Sequence, residues 1–130
     1  MKTMKWYLCV FFILFLAVSS RFYGNNWDQN LFMHPDERML MFVAGRIHFF
    51  DNLDPQFFNY GTLPAYILKA CAQLLDNFIR GDVNDFGSLT NIGRVIVSVV
   101  DLFTLVTIIA ISRFLFSDRR VSLYAAFFYT

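Results

Sequence analysis

The stretch from Val95 to Phe116, VIVSVVDLFTLVTIIAISRFLF, runs for twenty-two residues with Asp101 and Arg113 as its only charges. As a helix rising ~1.5 Å per residue, such a run is long enough to cross the ~30 Å hydrocarbon core of a bilayer. In lipid the backbone has no water to bond, so a lone span is helical however many β-branched residues it holds. The rest of the composition agrees. The chain is 57% hydrophobic and 16% charged, against roughly 45–50% and about 25% in soluble domains. High hydrophobicity, a formal charge of +1 and only two cysteines, Cys9 and Cys71, exclude a disordered tail, a disulfide scaffold and a nucleic-acid binder. The expected fold class is therefore all-α, a polytopic integral membrane protein.

Trp6 to Ser20 gives a second apolar run, preceded by Lys2 and Lys5 and followed by Arg21. Extended to residues 4–22, it reads as a short first span. A basic start, an apolar run and the small residues Ala17, Ser19 and Ser20 also fit a secretory signal peptide; the further span downstream favours an anchor. After 93–116 as the second span, a polar turn at 117–120 leads into VSLYAAFFYT at 121–130, ten residues that are too short to cross. That unfinished run suggests the N-terminal piece of a longer protein.

Residues 23–92 form the intervening loop, with two candidate helices. The first, about 35–50, opens on His34-Pro35-Asp36-Glu37, with proline in its favoured first-turn place and two acids at the positive end of the helix dipole. The second, about 62–80, has Thr62 as N-cap and Gly81 as its stop. Within it Lys69, Gln73, Asp76 and Arg80 form a polar stripe between apolar faces, as in a helix lying at the interface or against a bundle. If 62–80 does not span, Lys2, Lys5, Arg113, Arg119 and Arg120 fall on one side against Asp118 alone. The positive-inside rule then puts the N-terminus in the cytoplasm and the 23–92 loop outside.

The segment HPDERMLMFVAGRIHFFDNLDPQFFNYGTLPAYIL resembles the first external loop of polytopic GT-C glycosyltransferases. It is most similar to the dolichyl-phosphate-mannose protein mannosyltransferase-like and aminoarabinose-transferase-like group. The likeness lies in the acidic pair Asp36-Glu37, then Pro55, Phe57-Phe58-Asn59-Tyr60 and the hydrophobic helix Leu63 to Ile79. It continues in Gly93-Arg94, Arg113-Phe114 and Ala125-Ala126, in the same order and spacing. Two features depart from it: Asp101 stands where the group carries small or apolar residues, and the chain stops before the later loops that complete the site.

The resemblance implies inverting transfer of a sugar from a polyprenyl-phosphate donor to a lipid, glycan or protein hydroxyl on the extracytoplasmic face of a membrane, here a prokaryotic plasma membrane. Asp36 is the candidate base, since a hydroxyl acceptor needs its proton removed as the lipid phosphate departs. Neighbours on a helix point about 100° apart, so Glu37 takes a different role, orienting substrate or base. Arg94 suits a lipid phosphate through its planar fork, and His34 and Tyr60 are further candidate substrate contacts. His34 with the two acids makes no convincing metal ligand set, and no cofactor is expected. Asp101 inside a span is costly unless it faces the bundle interior or water, and its partner is expected in the part beyond Thr130. The alternative from another class is a small non-enzymatic membrane subunit or assembly factor.

Overall fold

A computed structural model of the chain describes residues 3–29, 31, 33–59, 61–76, 78 and 85–130. All regular elements among these are helices: α1 (Thr3–Phe22), α2 (Pro35–Arg46), α3 (Leu63–Asp76), α4 (Phe86–Leu115) and α5 (Arg119–Tyr129). Two of them, α1 with 20 residues and α4 with 30, are long and apolar enough to cross a membrane. The helices group into two compact units, one formed by Met1–Gly24 with Val97–Thr130 and the other by Asn25–Ile96.

In the first unit Ile13 and Ala17 of α1, Leu105 and Ile109 of α4 and Ala126 of α5 make a common core, flanked by Trp6, Val10, Leu102 and Leu123. The inward positions of α1 follow the helical three- and four-residue step, so only one stripe is buried. Its other faces carry Leu8, Phe11, Phe12 and Phe15 outward, as α4 carries Val97, Val100, Phe103 and Ile111. An isolated water-soluble bundle would bury such side chains, whereas in lipid they already stand in their preferred solvent. The hydroxyls on α4 also suit lipid: Thr104 donates to the Val100 carbonyl at 3.1 Å and Thr107 to that of Phe103 at 2.8 Å, each satisfied within its own helix.

Polar contacts tie the three helices at both ends of this unit. Arg119 donates to Thr3 Oγ1 at 2.7 Å, Trp6 Nε1 to Ser122 Oγ at 3.2 Å, and the Arg113 guanidinium lies over the Trp6 ring. At the other end Asp101 accepts from Arg21 Nε through one carboxylate oxygen and from the Tyr129 hydroxyl, at 2.6 Å, through the other. This corrects the expectation that the partner of Asp101 lies beyond Thr130. The carboxylate in mid-helix is neutralised by α1 and capped by α5, which removes the cost of an isolated charge in a span.

The second unit packs α2 against α3 and the first turns of α4. Met41 and Ala44 of α2, Leu68 and Ala72 of α3 and Leu89 of α4 form one cluster; Val43, Ile47 and Ala65, with Phe57 and Tyr66 against them, form a second. Gly93 faces this cluster, and a Cβ there would make ordinary van der Waals contact with Leu68 Cδ1 and Met41 Cε, at 3.7 Å each. α3 has 14 residues, about 21 Å, too short to cross a bilayer.

Three local expectations change. α2 ends at Arg46 and not near residue 50, because Ile47 turns extended and His48 and Asn52 exchange backbone hydrogen bonds at 2.8 and 2.9 Å. The Asn52 side chain also reaches the Arg46 carbonyl, competing with further helix. The polar stripe of α3 does not face water at Lys69: that residue is 4% exposed, while Leu63, Ile67 and Leu74 point outward. Arg80 and Gly81 lie outside the described residues.

α4 also begins seven residues before the expected 93, at Phe86. Asp85 starts it, accepting from the Gly87 and Ser88 backbone N–H groups at 2.8 and 3.2 Å, as a good N-cap does. The Ser88 hydroxyl is the largest influence and, with the smaller help of these N–H groups, holds the carboxyl below the ordinary carboxylate value against the opposing effect of burial. Such a depressed group contributes stability above its unfolded pKa, about 3.9, and loses that contribution as pH falls through its lower folded value. Asp85→Ala is therefore expected to destabilise the second unit by about 1 kcal/mol at pH 7, and the difference from the parent chain to vanish in strong acid. Thermal unfolding in detergent across pH checks both.

Candidate functional site

The candidate residues sit at the start of α2 and on the first turns of α4. His34 is the residue before α2, extended at φ −81°, ψ 117°, with no side-chain capping bond; its carbonyl accepts from the Arg38 N–H at 3.1 Å. Pro35 begins the helix, and Asp36 and Glu37 fill its first turn. Successive helical residues diverge by about 100°, and the two acids separate accordingly: Asp36 is exposed, and Glu37 is half-buried. Tyr60 lies outside the described residues.

Glu37 turns toward Arg94. The guanidinium donates Nε to Glu37 Oε1 at 3.1 Å and Nη2 to Oε2 at 2.7 Å, a bidentate pair. On its other edge it makes a second pair, Nη1 to Asp28 Oδ1 and Nη2 to Asp28 Oδ2, both at 3.0 Å. The fifth N–H goes from Nη1 to the Asn25 carbonyl at 2.8 Å. Trp27 covers the cation, its ring centroid 5.5 Å from the guanidinium carbon, a favourable placement for a cation over an aromatic face.

All five guanidinium N–H groups are therefore engaged, and Arg94 has none left to offer a phosphate. Arg94 and Glu37, both expected at a substrate, are here paired with each other, and Glu37 fixes Arg94 to the start of α2. The Asp28 side chain is wholly buried and that of Arg94 is 9% exposed, whereas Glu37 keeps 31%. Buried bidentate pairs of this kind gain from charge-assisted hydrogen bonds on every lone pair that loses water. The cluster holds one positive charge against two negative ones, and of the two acids Glu37 is the more exposed.

Asp28 is the member that sequence reading missed. It sat in the loop as one acid among several, yet Arg94 carried the signal: no acid stands three or four positions from it on α4, so its partners had to come from elsewhere in the chain. The turn after α1 supplies them through Asn25, Trp27 and Asp28, and Asp28 Oδ2 also receives the Met33 N–H at 3.4 Å.

An apolar groove of about 470 Å³ runs between α3 and α4, lined by Cys71, Leu74, Leu75, Ile92, Val95 and Ile96, with Asn91 its one polar side chain. Among the described residues no three His, Cys, Asp or Glu side chains come together as a metal site. No protein-family model, curated protein or solved structure matches the chain.

Removing one partner of the buried pair leaves the other charge without compensation, so Asp28→Ala is expected to cost about 3–5 kcal/mol. Glu37→Ala costs less, about 1–2 kcal/mol, because water reaches its site. The double variant Asp28→Ala/Arg94→Met recovers most of the loss if the two act as one unit. Unfolding of the purified chain in detergent measures all three.

Proposed function

We propose that the chain is part of an integral membrane glycosyltransferase that moves a sugar from a polyprenyl-phosphate donor to a hydroxyl acceptor, with Asp36 as base. The observation that carries this reading is the division between the two acids of α2. Glu37 anchors the first turn to Arg94, so the backbone of Asp36 is held on a fixed platform while the residue itself lies on the exposed face of the helix. A base placed by a rigid element, and not by a loop, is what a displacement at a sugar carbon requires.

In that reaction the acceptor hydroxyl gives its proton to the Asp36 carboxylate as its oxygen bonds the anomeric carbon. The bond from that carbon to the phosphate oxygen breaks, and the electron pair leaves with the polyprenyl phosphate, which needs no proton. Arg94 meets that phosphate only by giving up bonds that it makes to Asp28, Glu37 and Asn25. The groove between α3 and α4 has the apolar lining and the size of a ligand site, and hydrocarbon of a lipid-linked donor suits it. Asp36→Asn is expected to lower sugar transfer about 100-fold or more in membranes bearing the protein, with insertion and thermal stability unchanged. Transfer of labelled sugar to endogenous acceptors measures this, and undiminished transfer removes Asp36 as base.

A second reading is favoured by the same cluster: Arg94 and Glu37, two of the charged residues expected at a reaction centre, are spent on each other and on Asp28. A non-enzymatic membrane subunit would need only that structural role. In this case Asp36→Asn changes no transfer activity, because none exists in the parent.

Both readings place the N-terminus in the cytoplasm and the Asn25–Ile96 unit outside, supported by the basic residues around Lys5 and at Arg113, Arg119 and Arg120. A periplasmically active reporter joined after Asp85 is expected to be active, and a cytoplasmic one at the same place silent. The reverse pattern inverts the topology.

A further inference from the structure

Between α2 and α3 the chain makes a closed turn whose apex is apolar. His48 and Asn52 donate to each other's carbonyl, and the Asp51 N–H adds a bond to the His48 carbonyl at 3.1 Å. Phe50 stands inside this turn, fully exposed, with φ +79°. A left-handed backbone strains any residue with a Cβ, and glycine would occupy the place without strain. An aromatic ring is instead held out at the cost of that strain, with no protein contact in return. Such a combination of local strain and an unburied apolar group points to use outside the chain's own core.

We propose that the His48–Asn52 turn is a finger that dips Phe50 into the interfacial layer of the membrane. This rests on the membrane-spanning reading of α1 and α4. Chain connectivity supports a lipid partner over a protein one. The unit that carries the turn begins at Asn25, three residues after α1 ends at Phe22, and closes at Ile96 within α4, so both its ends are tethered beside segments fit to span. The chemistry of the turn matches an interface. Phe50 brings a ring that gains by leaving water, and exposed Leu53 and Phe58 follow it in sequence. Arg46 and His48, both exposed, precede it and suit lipid phosphates. Asp51 and Asp54 limit the depth: both are exposed carboxylates, which stay out of hydrocarbon, and Asp54 is tied to the Gln56 N–H at 2.9 Å. The ring therefore reaches the headgroup and upper acyl region and no further.

The test uses spin labels in the whole chain with Cys9→Ala and Cys71→Ala, the two free cysteines, reconstituted in phosphatidylcholine vesicles containing phosphatidylglycerol. Phe50→Cys and, separately, Phe103→Cys carry the label, and collision with oxygen is compared with collision with a water-soluble nickel chelate. Expected is an oxygen-dominated signal at both positions, shallower at 50 than at 103. A chelate-dominated signal at 50 with an oxygen-dominated one at 103 overturns the finger and leaves the membrane reading intact. Chelate dominance at both positions overturns the two together. Exclusion of both reagents from 50 shows that protein covers the ring, which also overturns the proposal.

Discussion

The double bidentate contact of Arg94 with Asp28 and Glu37 is the interaction on which the Asn25–Ile96 unit depends. It joins three segments far apart in sequence: the turn that follows α1, the first turn of α2 and the early turns of α4. The apolar clusters of this unit are built from small side chains such as Ala44, Ala65 and Ala72, with Met41, Leu68 and Leu89 as the larger members. Packing of that kind is non-directional and tolerates sliding of one helix on another. A guanidinium with both forked edges occupied does not, since a small shift of any segment breaks parallel hydrogen bonds at once. The cluster thus fixes the register that the alanines leave loose, and it sets which acid of α2 faces inward.

What counts as outside is equally decisive. On α3 the buried side holds Ala65, Leu68, Lys69 and Ala72, and the exposed side Leu63, Ile67 and Leu74. A water-facing helix keeps a cation such as Lys69 on its exposed side. The outward faces of α1 and α4 are apolar too, and both helices are long and apolar enough to cross a membrane. Where such faces stand in lipid, the hydrophobic effect has little to say about how helices associate, and polar contacts between them carry more of the specificity. Both α4 clusters, Asp101 with Arg21 and Tyr129, and Arg94 with Asp28 and Glu37, are of this sort.

Much of the fold was legible in the sequence. The two long apolar helices followed from run length alone, and the start of α2 from Pro35 with its acids, because those signals are local. The end of α2 was misread for a physical reason: Phe49 and Phe50 continue an apolar pattern, but the turn between His48 and Asn52 is decided by backbone pairing that periodicity does not register. The start of α4 was hidden likewise, since Asp85 as cap precedes the apolar run by ten residues. The partners of Asp101 and Arg94 were not legible by position at all. An intramembrane or interfacial charge announces that it needs a counter-charge, but the fold alone decides which of several acids or bases provides it.

Of the candidate site, the separation of Asp36 from Glu37 was readable from the helical rotation, and the assignment of Arg94 was not. An arginine at the head of an apolar helix looks the same in sequence whether it waits for a phosphate or is already saturated. The difference lies in the number of free N–H groups, and that number depends on Asn25 and Asp28, residues 69 and 66 positions away. The consequence for chemistry is specific. With Arg94 bonded to three partners inside the chain, it is first of all a structural cation, and Asp36 is the acid of α2 that stays on the exposed face.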